Sequence, residues 1–181
     1  MQVTRLALPG LMLLEPRVFS DERGYFFESF NARAFRDATG LDVTFVQDNH
    51  SCSRAGVVRG LHYQLQHAQG KLVRVIAGTV FDVAVDLRRS SPSFGKSIGV
   101  PLSAADRTML WIPPGFAHGF HVLSDGAEFL YKTTDYWAPA HERTLLWCDP
   151  ALGIDWPVAG KPVLNAKDAA GVPLADAEVY A

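Results

Sequence analysis

Short runs of apolar and β-branched residues, each closed by Gly, Pro, Asp or Ser, follow one another along most of this chain. Leu11–Phe19, Gly24–Phe30, Val43–His50, Val57–Leu65, Lys71–Ile76, Thr79–Leu87, Ser97–Leu102, Met109–Ile112, Ala117–Leu123 and Ala127–Trp137 all read as strands. Ala77-Gly78, between two Val-rich runs, reads as a hairpin turn. Many short strands at close spacing predict a β-sandwich or barrel. Helix is scarce. Asn31 to Thr39 has a capping Asn, good helix formers and Gly40 as a stop, so one short helix is expected there. From Asp149 onward the chain is rich in Pro and Gly and reads as loop, with room for one more helical turn. The expected architecture is mainly β, in a single domain over residues 1–181.

Composition narrows the function classes. A chain of 181 residues is long enough for one self-sufficient core. A formal net charge of −2 provides no basic field for nucleic acid or an anionic membrane, so any anionic ligand must be held by a local group of Arg and Lys. No run approaches the ~18 consecutive apolar residues of a membrane span. Leu6–Leu14 is the one candidate targeting segment, but it is short, broken by Pro9 and followed by no small-residue cleavage site. Two distant cysteines, Cys52 and Cys148, make no disulfide framework and fit the expected location, a reducing cytoplasm.

Three segments carry candidate chemistry. In Arg59-Gly60-Leu61-His62-Tyr63-Gln64, alternation puts His62 and Gln64 on one face and Leu61 and Tyr63 on the other. A neutral imidazole pointing into a cavity can act as a general base near neutral pH. For His62 taken alone, a hydrogen-bonded structural histidine is an equal reading. Simple alternation also sets Arg59 and His62 on opposite faces, unless Gly60 marks a bulge or bend.

The second segment, Trp111 to His121, contains Pro-x-Gly-x-x-His ending at His118 and resembles the second cupin motif; Gly56 to His62 resembles the opening of the first. Metal-binding cupins carry His-x-His and then a Glu in the first motif. Here the second His position is Gln64, and the acidic position falls among Gln66, His67, Ala68 and Gln69. Neutral amides are poor ligands for a transition metal, and His62 with His118 makes only two, so a cupin-type jelly-roll barrel without its metal is expected.

The third segment runs from Glu128 to Trp137. Alternation places Tyr131, Thr133, Asp135 and Trp137 on one face, where a phenol can serve as an acid and an indole can stack on a base; aromatic strand residues more often simply pack. Arg23, Arg59, Lys71 and Arg74 lie in or beside strand-like runs, where long cations mark either a solvated face or an anion site.

Taken in order, these pieces resemble the dTDP-4-dehydrorhamnose 3,5-epimerases. The carriers are Asp21-Glu22-Arg23-Gly24 with Phe26, Phe27 and Glu28; Gln47-Asp48-Asn49-His50-Ser51; Val58 to Gln64; Lys71 to Val75; Ile112 to Phe120; Leu130-Tyr131-Lys132; and Lys167-Asp168. The resemblance implies epimerisation of dTDP-4-dehydro-6-deoxy-D-glucose on both sides of its ketone, toward dTDP-L-rhamnose, with no cofactor and no metal. It implies that His62 is the base, Asp168 its orienting carboxylate, Tyr131 the acid from the opposite face and Lys71 the stabiliser of the enolate oxygen. It further implies substrate contacts from Arg23, Glu28, Gln47, Asp48, Asn49, Arg59, His118, Glu142 and Lys167, with Trp137 stacking on the thymine where the family often has Tyr. A homodimer with exchanged N-terminal strands is implied as well, so that Arg23 and Glu28 serve the neighbouring subunit. Three rival readings stand beside this one: an epimerase acting at a single carbon of a related dTDP-keto-deoxysugar, a metal-dependent cupin, and a non-catalytic sugar-binding module.

Overall fold

The computed structural model describes residues 1–181. In chain order its elements are β1 (Gln2–Arg5), β2 (Met12–Glu15), β3 (Val18–Asp21), β4 (Gly24–Phe27), α1 (Ala32–Thr39), β5 (Gln47–Arg54), β6 (Val58–Gln64), β7 (Lys71–Ala77), β8 (Thr79–Asp86), β9 (Ser97–Ser103), β10 (Met109–Ile112), β11 (Phe116–Val122), β12 (Gly126–Thr133), β13 (Glu142–Thr144) and α2 (Ala166–Ala169). Each expected strand run overlaps a strand, although β5 begins four residues into Val43–His50 and continues to Arg54, and β3 continues past Phe19 to Asp21. Leu11–Phe19 holds two, β2 and β3, parted at Pro16, which offers no backbone donor; β1 and β13 were not foreseen.

The strands form two antiparallel sheets, ordered β1-β2-β10-β7-β12-β5 and β13-β6-β11-β8-β9, with β3-β4 as a separate ribbon. Between the sheets lies a core of 15 buried residues drawn from both, including Val73, Val75, Leu110 and Phe129 from one and Val80, Ala84, Phe120 and Val122 from the other. The outer face of the five-stranded sheet is covered by the C-terminal tail, whose Trp156, Leu174 and Tyr180 pack on Leu61, Tyr63, Val83 and Val85. The outer face of the six-stranded sheet is covered by α1, whose Phe35 packs edge-on against Trp111 at 5.6 Å.

Helix α1 ends where its sequence says it should. Asn31 Oδ1 accepts from the Ala34 N–H at 3.1 Å, and Gly40, at φ 75°, donates to Arg36 O at 2.8 Å. No helix is long and apolar enough to cross a membrane.

Two local expectations are corrected. Ala77-Gly78 is not a hairpin turn, because β7 pairs with β10 and β12 while β8 pairs with β11 and β9. Gly78 instead carries the chain from one sheet to the other, at φ 75°, where a Cβ would lie 2.0 Å from Gly126 O. The Ala127–Trp137 run stops being strand at Thr133, so Trp137 sits on a loop and not on the alternating face of β12.

Candidate active site

One cavity of about 400 Å³ opens between the two sheets, a size that suits a small-molecule ligand. Its wall on the five-stranded sheet is made by β6 and β11. His118 pairs with His62 and Phe120 with Arg59, so two steps along β11 match three along β6. This bulge at Gly60-Leu61 answers the alternation problem: Arg59 and His62 both face the cavity, while Leu61 joins the outer cluster. Only glycine fits there. A Cβ on Gly60 would lie 2.7 Å from Gly119 Cα, and one on Gly119 would lie 2.4 Å from Arg59 O.

Two histidine–carboxylate pairs result. His62 Nε2–H donates to Asp168 Oδ1 at 2.5 Å, leaving Nδ1 for the cavity. Asp168 comes from α2 in the tail, is 1% exposed and has no partner for Oδ2. His118 Nε2 bonds both oxygens of Asp82, at 3.0 and 2.9 Å. Burial lowers the His118 pKa, against the opposing pull of Asp82. Asp82 escaped the sequence reading. Its signal was a lone carboxylate in the apolar run Val80-Phe81-Asp82-Val83-Ala84-Val85.

The opposite wall belongs to the six-stranded sheet. Alternation on β7 turns Lys71, Val73 and Val75 inward, and Lys71 Nζ donates to His62 O at 3.3 Å. Burial pulls the Lys71 pKa down to about 8, with Asp82 and Glu142 opposing. Tyr131, inward on β12, has its phenol pKa raised by burial and by Glu142, with Arg59 opposing, so it stays protonated at neutral pH. Phe120 and Phe129 stack at 4.4 Å and form an apolar patch of wall.

On β5, Gln47, Asn49 and Ser51 face the cavity. Asp48 points the other way and holds Lys132 at 2.9 Å, so it is separated from its two neighbours by plain alternation. Glu142 on β13 pairs with Lys167 at 2.7 Å at the cavity edge; burial alone would raise the Glu142 pKa, but Lys167 holds it below its ordinary value. Trp137 reaches the mouth from its loop. The structure thus gathers His62, Lys71, Tyr131, Gln47, Asn49, Arg59, His118, Trp137, Glu142 and Lys167 around one space, with Asp168 behind His62. Arg23 and Glu28 lie outside it. Arg23 is bound to Asp21 on the exposed ribbon, and Glu28 accepts from Asn31 Nδ2 at 3.0 Å. Ser51, Gln69, Phe120 and Phe129 line the cavity without having been singled out from sequence for that role.

The cupin ligand positions are otherwise engaged. His62 and His118 each hold a carboxylate through Nε2, and the Gln64 amide is bonded to backbone at both ends. No group of three or more His, Cys, Asp or Glu is arranged to hold a metal ion.

Two antiparallel sheets closed over a cavity lined by titratable side chains define the class: a cupin-type jelly-roll barrel. A model of the dTDP-4-dehydrorhamnose 3,5-epimerase family matches residues 5–176. The chain is 62% identical over 180 residues to the dTDP-4-dehydrorhamnose 3,5-epimerase of Pseudomonas aeruginosa, covering 99% of each. It superposes with a TM-score of 0.95 on the dTDP-6-deoxy-D-glucose-3,5-epimerase of Legionella pneumophila in complex with dTDP-4-keto-L-rhamnose, at 49% identity and covering 98% of this chain and 94% of that one. ChmJ, a 3'-monoepimerase from Streptomyces bikiniensis in complex with dTDP-quinovose, superposes at 0.89 with 35% identity, covering 97% and 88%. This chain belongs to the dTDP-4-dehydrorhamnose 3,5-epimerase family.

Proposed function

We propose that this chain epimerises dTDP-4-dehydro-6-deoxy-D-glucose at C3 and C5, giving dTDP-4-dehydro-L-rhamnose. The observation that carries the reading is that His62 and Tyr131 enter one cavity from opposing sheets. A base and an acid on opposite sides of a carbon are what inversion requires. His62 Nδ1 takes the proton from the carbon beside the ketone, and the bond's electron pair moves onto the C4 oxygen. Asp168 keeps the Nε2–H tautomer and balances the imidazolium. Lys71 stabilises the enolate oxygen; with a pKa of about 8 its ammonium is still the majority form at pH 7. Tyr131 returns a proton to the other face, the enolate collapses to the ketone, and both side chains re-equilibrate with solvent.

Binding follows the same geography. Arg59 and Lys167 suit the diphosphate, Gln47, Asn49 and His118 the polar groups of the nucleotide-sugar, and Trp137 the thymine. Glu142 holds Lys167 in place. The Phe120–Phe129 pair suits the C6 methyl, which needs no hydrogen-bond partner.

We place Arg23 and Glu28 at the cavity of a second copy, in a homodimer formed through the N-terminal ribbon. Phe19, Tyr25 and Phe26 on that ribbon are 50%, 60% and 68% exposed, an apolar surface suited to a partner. A fully active monomer in sedimentation would overturn this. A cytoplasmic location accords with two exposed, unpaired cysteines.

Proton NMR of product formed in deuterated water tests the reaction. Deuterium and inversion at both C3 and C5 are expected. The ChmJ likeness makes exchange at one carbon the alternative result, which would reassign the chain to single-site epimerases; no exchange at either carbon would sink the proposal.

A further inference from the structure

The loop that carries Trp137 is held by side-chain amides. The backbone N–H groups of Trp137 and Ala138 make no backbone–backbone hydrogen bond; they donate to Gln47 Oε1 at 3.0 Å and Gln64 Oε1 at 2.8 Å. Gln64 Nε2 donates to Tyr136 O at 3.2 Å and to His67 O at 2.7 Å, joining this loop to the one after β6. Gln69 Nε2, on the same loop as His67, donates to Asp135 O at 2.9 Å. Gln64 is 4% exposed, whereas Tyr136 and Trp137 are 63% and 59% exposed. The two aromatics therefore have little packing of their own to fix them, and the buried amide beneath supplies the constraint. Every hydrogen-bonding atom of the Gln64 side chain that faces the loop is used for backbone.

We infer that Gln64 is a positioning residue for the nucleobase subsite, setting the plane of Trp137 so that the indole is ready to stack before ligand arrives. The position that bears a metal-ligating histidine in metal-binding cupins serves here to fix a recognition loop. The inference rests on the proposed stacking of thymine on Trp137. It assigns Gln64 no contact with the reacting carbons. Its removal should act on affinity for ligands that contain a base and spare those that do not.

Calorimetric titration of dTDP and of inorganic diphosphate, with steady-state kinetics, tests this in three variants. Trp137→Ala measures the whole stacking contribution. Gln64→Met keeps volume but loses all three loop bonds, and is expected to weaken dTDP binding about tenfold, within the range that stacking of one base supplies. KM should rise in parallel, kcat should change less, and diphosphate affinity should stay at the wild-type value. Gln69→Met, at a more exposed position, should show a smaller loss of the same kind; it carries the test should Gln64→Met fail to fold. Wild-type dTDP affinity in Gln64→Met alongside a clear loss in Trp137→Ala would overturn the inference and leave the stacking reading intact. Equal losses for dTDP and diphosphate in Gln64→Met would overturn it too, since general damage to the cavity is then the cause. Unchanged dTDP affinity in Trp137→Ala would remove the stacking reading and the inference with it.

Discussion

His62 and His118 face each other across the β6–β11 pair, and each is bonded through Nε2 to a carboxylate. The His62 side chain is 28% exposed and the His118 side chain 7%; their carboxylates, Asp168 and Asp82, are both buried. Asp82 engages His118 with both oxygens from the middle of the same sheet, whereas Asp168 reaches His62 from the tail with one. A histidine–carboxylate pair is therefore not by itself a sign of catalysis. Both histidines reach the cavity and differ in degree of access: His62 is the more open, while His118 is largely enclosed beside a stack with Phe129 at 6.0 Å. On the proposed mechanism, the first pair transfers the proton and the second contributes a largely enclosed polar contact to the substrate.

Parallel substitutions in the two pairs test this contrast. The largest effect is expected from His62→Ala: kcat falls by about 10²–10⁴-fold, the range of a positioned base, and the melting temperature drops as well because the buried Asp168 carboxylate loses its partner. Near-wild-type turnover would remove His62 from its role. Asp168→Asn should follow, lowering kcat by about 10²-fold or more because the tautomer is no longer enforced. If circular dichroism shows the variant folded and kcat is untouched, the two pairs differ less than their geometry says.

His118→Ala likewise leaves a buried carboxylate, Asp82, without its partner, but its cost is expected to fall mainly on stability. Denaturation should report a stability loss of about 1.5–3 kcal/mol, the range of a hydrogen bond to a charged group, with a smaller fall in kcat than His62→Ala causes. A catalytic loss equal to that of His62→Ala, at unchanged stability, would erase the distinction.

The remaining expectations concern pH and the charge between the pairs. Because the Lys71 pKa is pulled down to about 8, kcat/KM should decline as pH rises through that value and the ammonium is lost. Stability should run the other way. An unfolded lysine keeps the ordinary value of 10.5, so between about 8 and 10.5 the unfolded chain binds more protons. Folding then becomes more favourable with rising pH, by up to about 3 kcal/mol in total. Asp82→Asn removes an anion that favours the ammonium and should move the alkaline limb of activity to lower pH. An unmoved limb would mean that Asp82 does not act on Lys71.

Much of the barrel was legible because alternation is local. His62 with Gln64 and Leu61 with Tyr63 divide between the faces as the pattern requires. The same rule, applied to Gln47-Asp48-Asn49, separates Asp48 from its neighbours, although resemblance alone had grouped the three. Ala77-Gly78 misled because a Gly between two strands signals a turn without saying whether those strands pair. Trp137 lies at the mouth, but by way of a loop, since β12 ends four residues earlier. Arg59 joined His62 only through the bulge at Gly60-Leu61, which the sequence could pose as a question and not answer.

Spacing and local motif are enough to locate most strands, the side chains that share a face, the cap and stop of α1, and the family. The tertiary structure alone revealed that Asp82 stands behind His118 and that Arg59 shares a cavity with His62; it also supplied the contact of Asp168 with His62 across 106 residues and the placing of His62 and Tyr131 on opposite sheets, which only the resemblance had implied. The reason is physical: these meetings depend on which distant strands pair and on one extra residue in one strand, and neither is set by the identity of near neighbours.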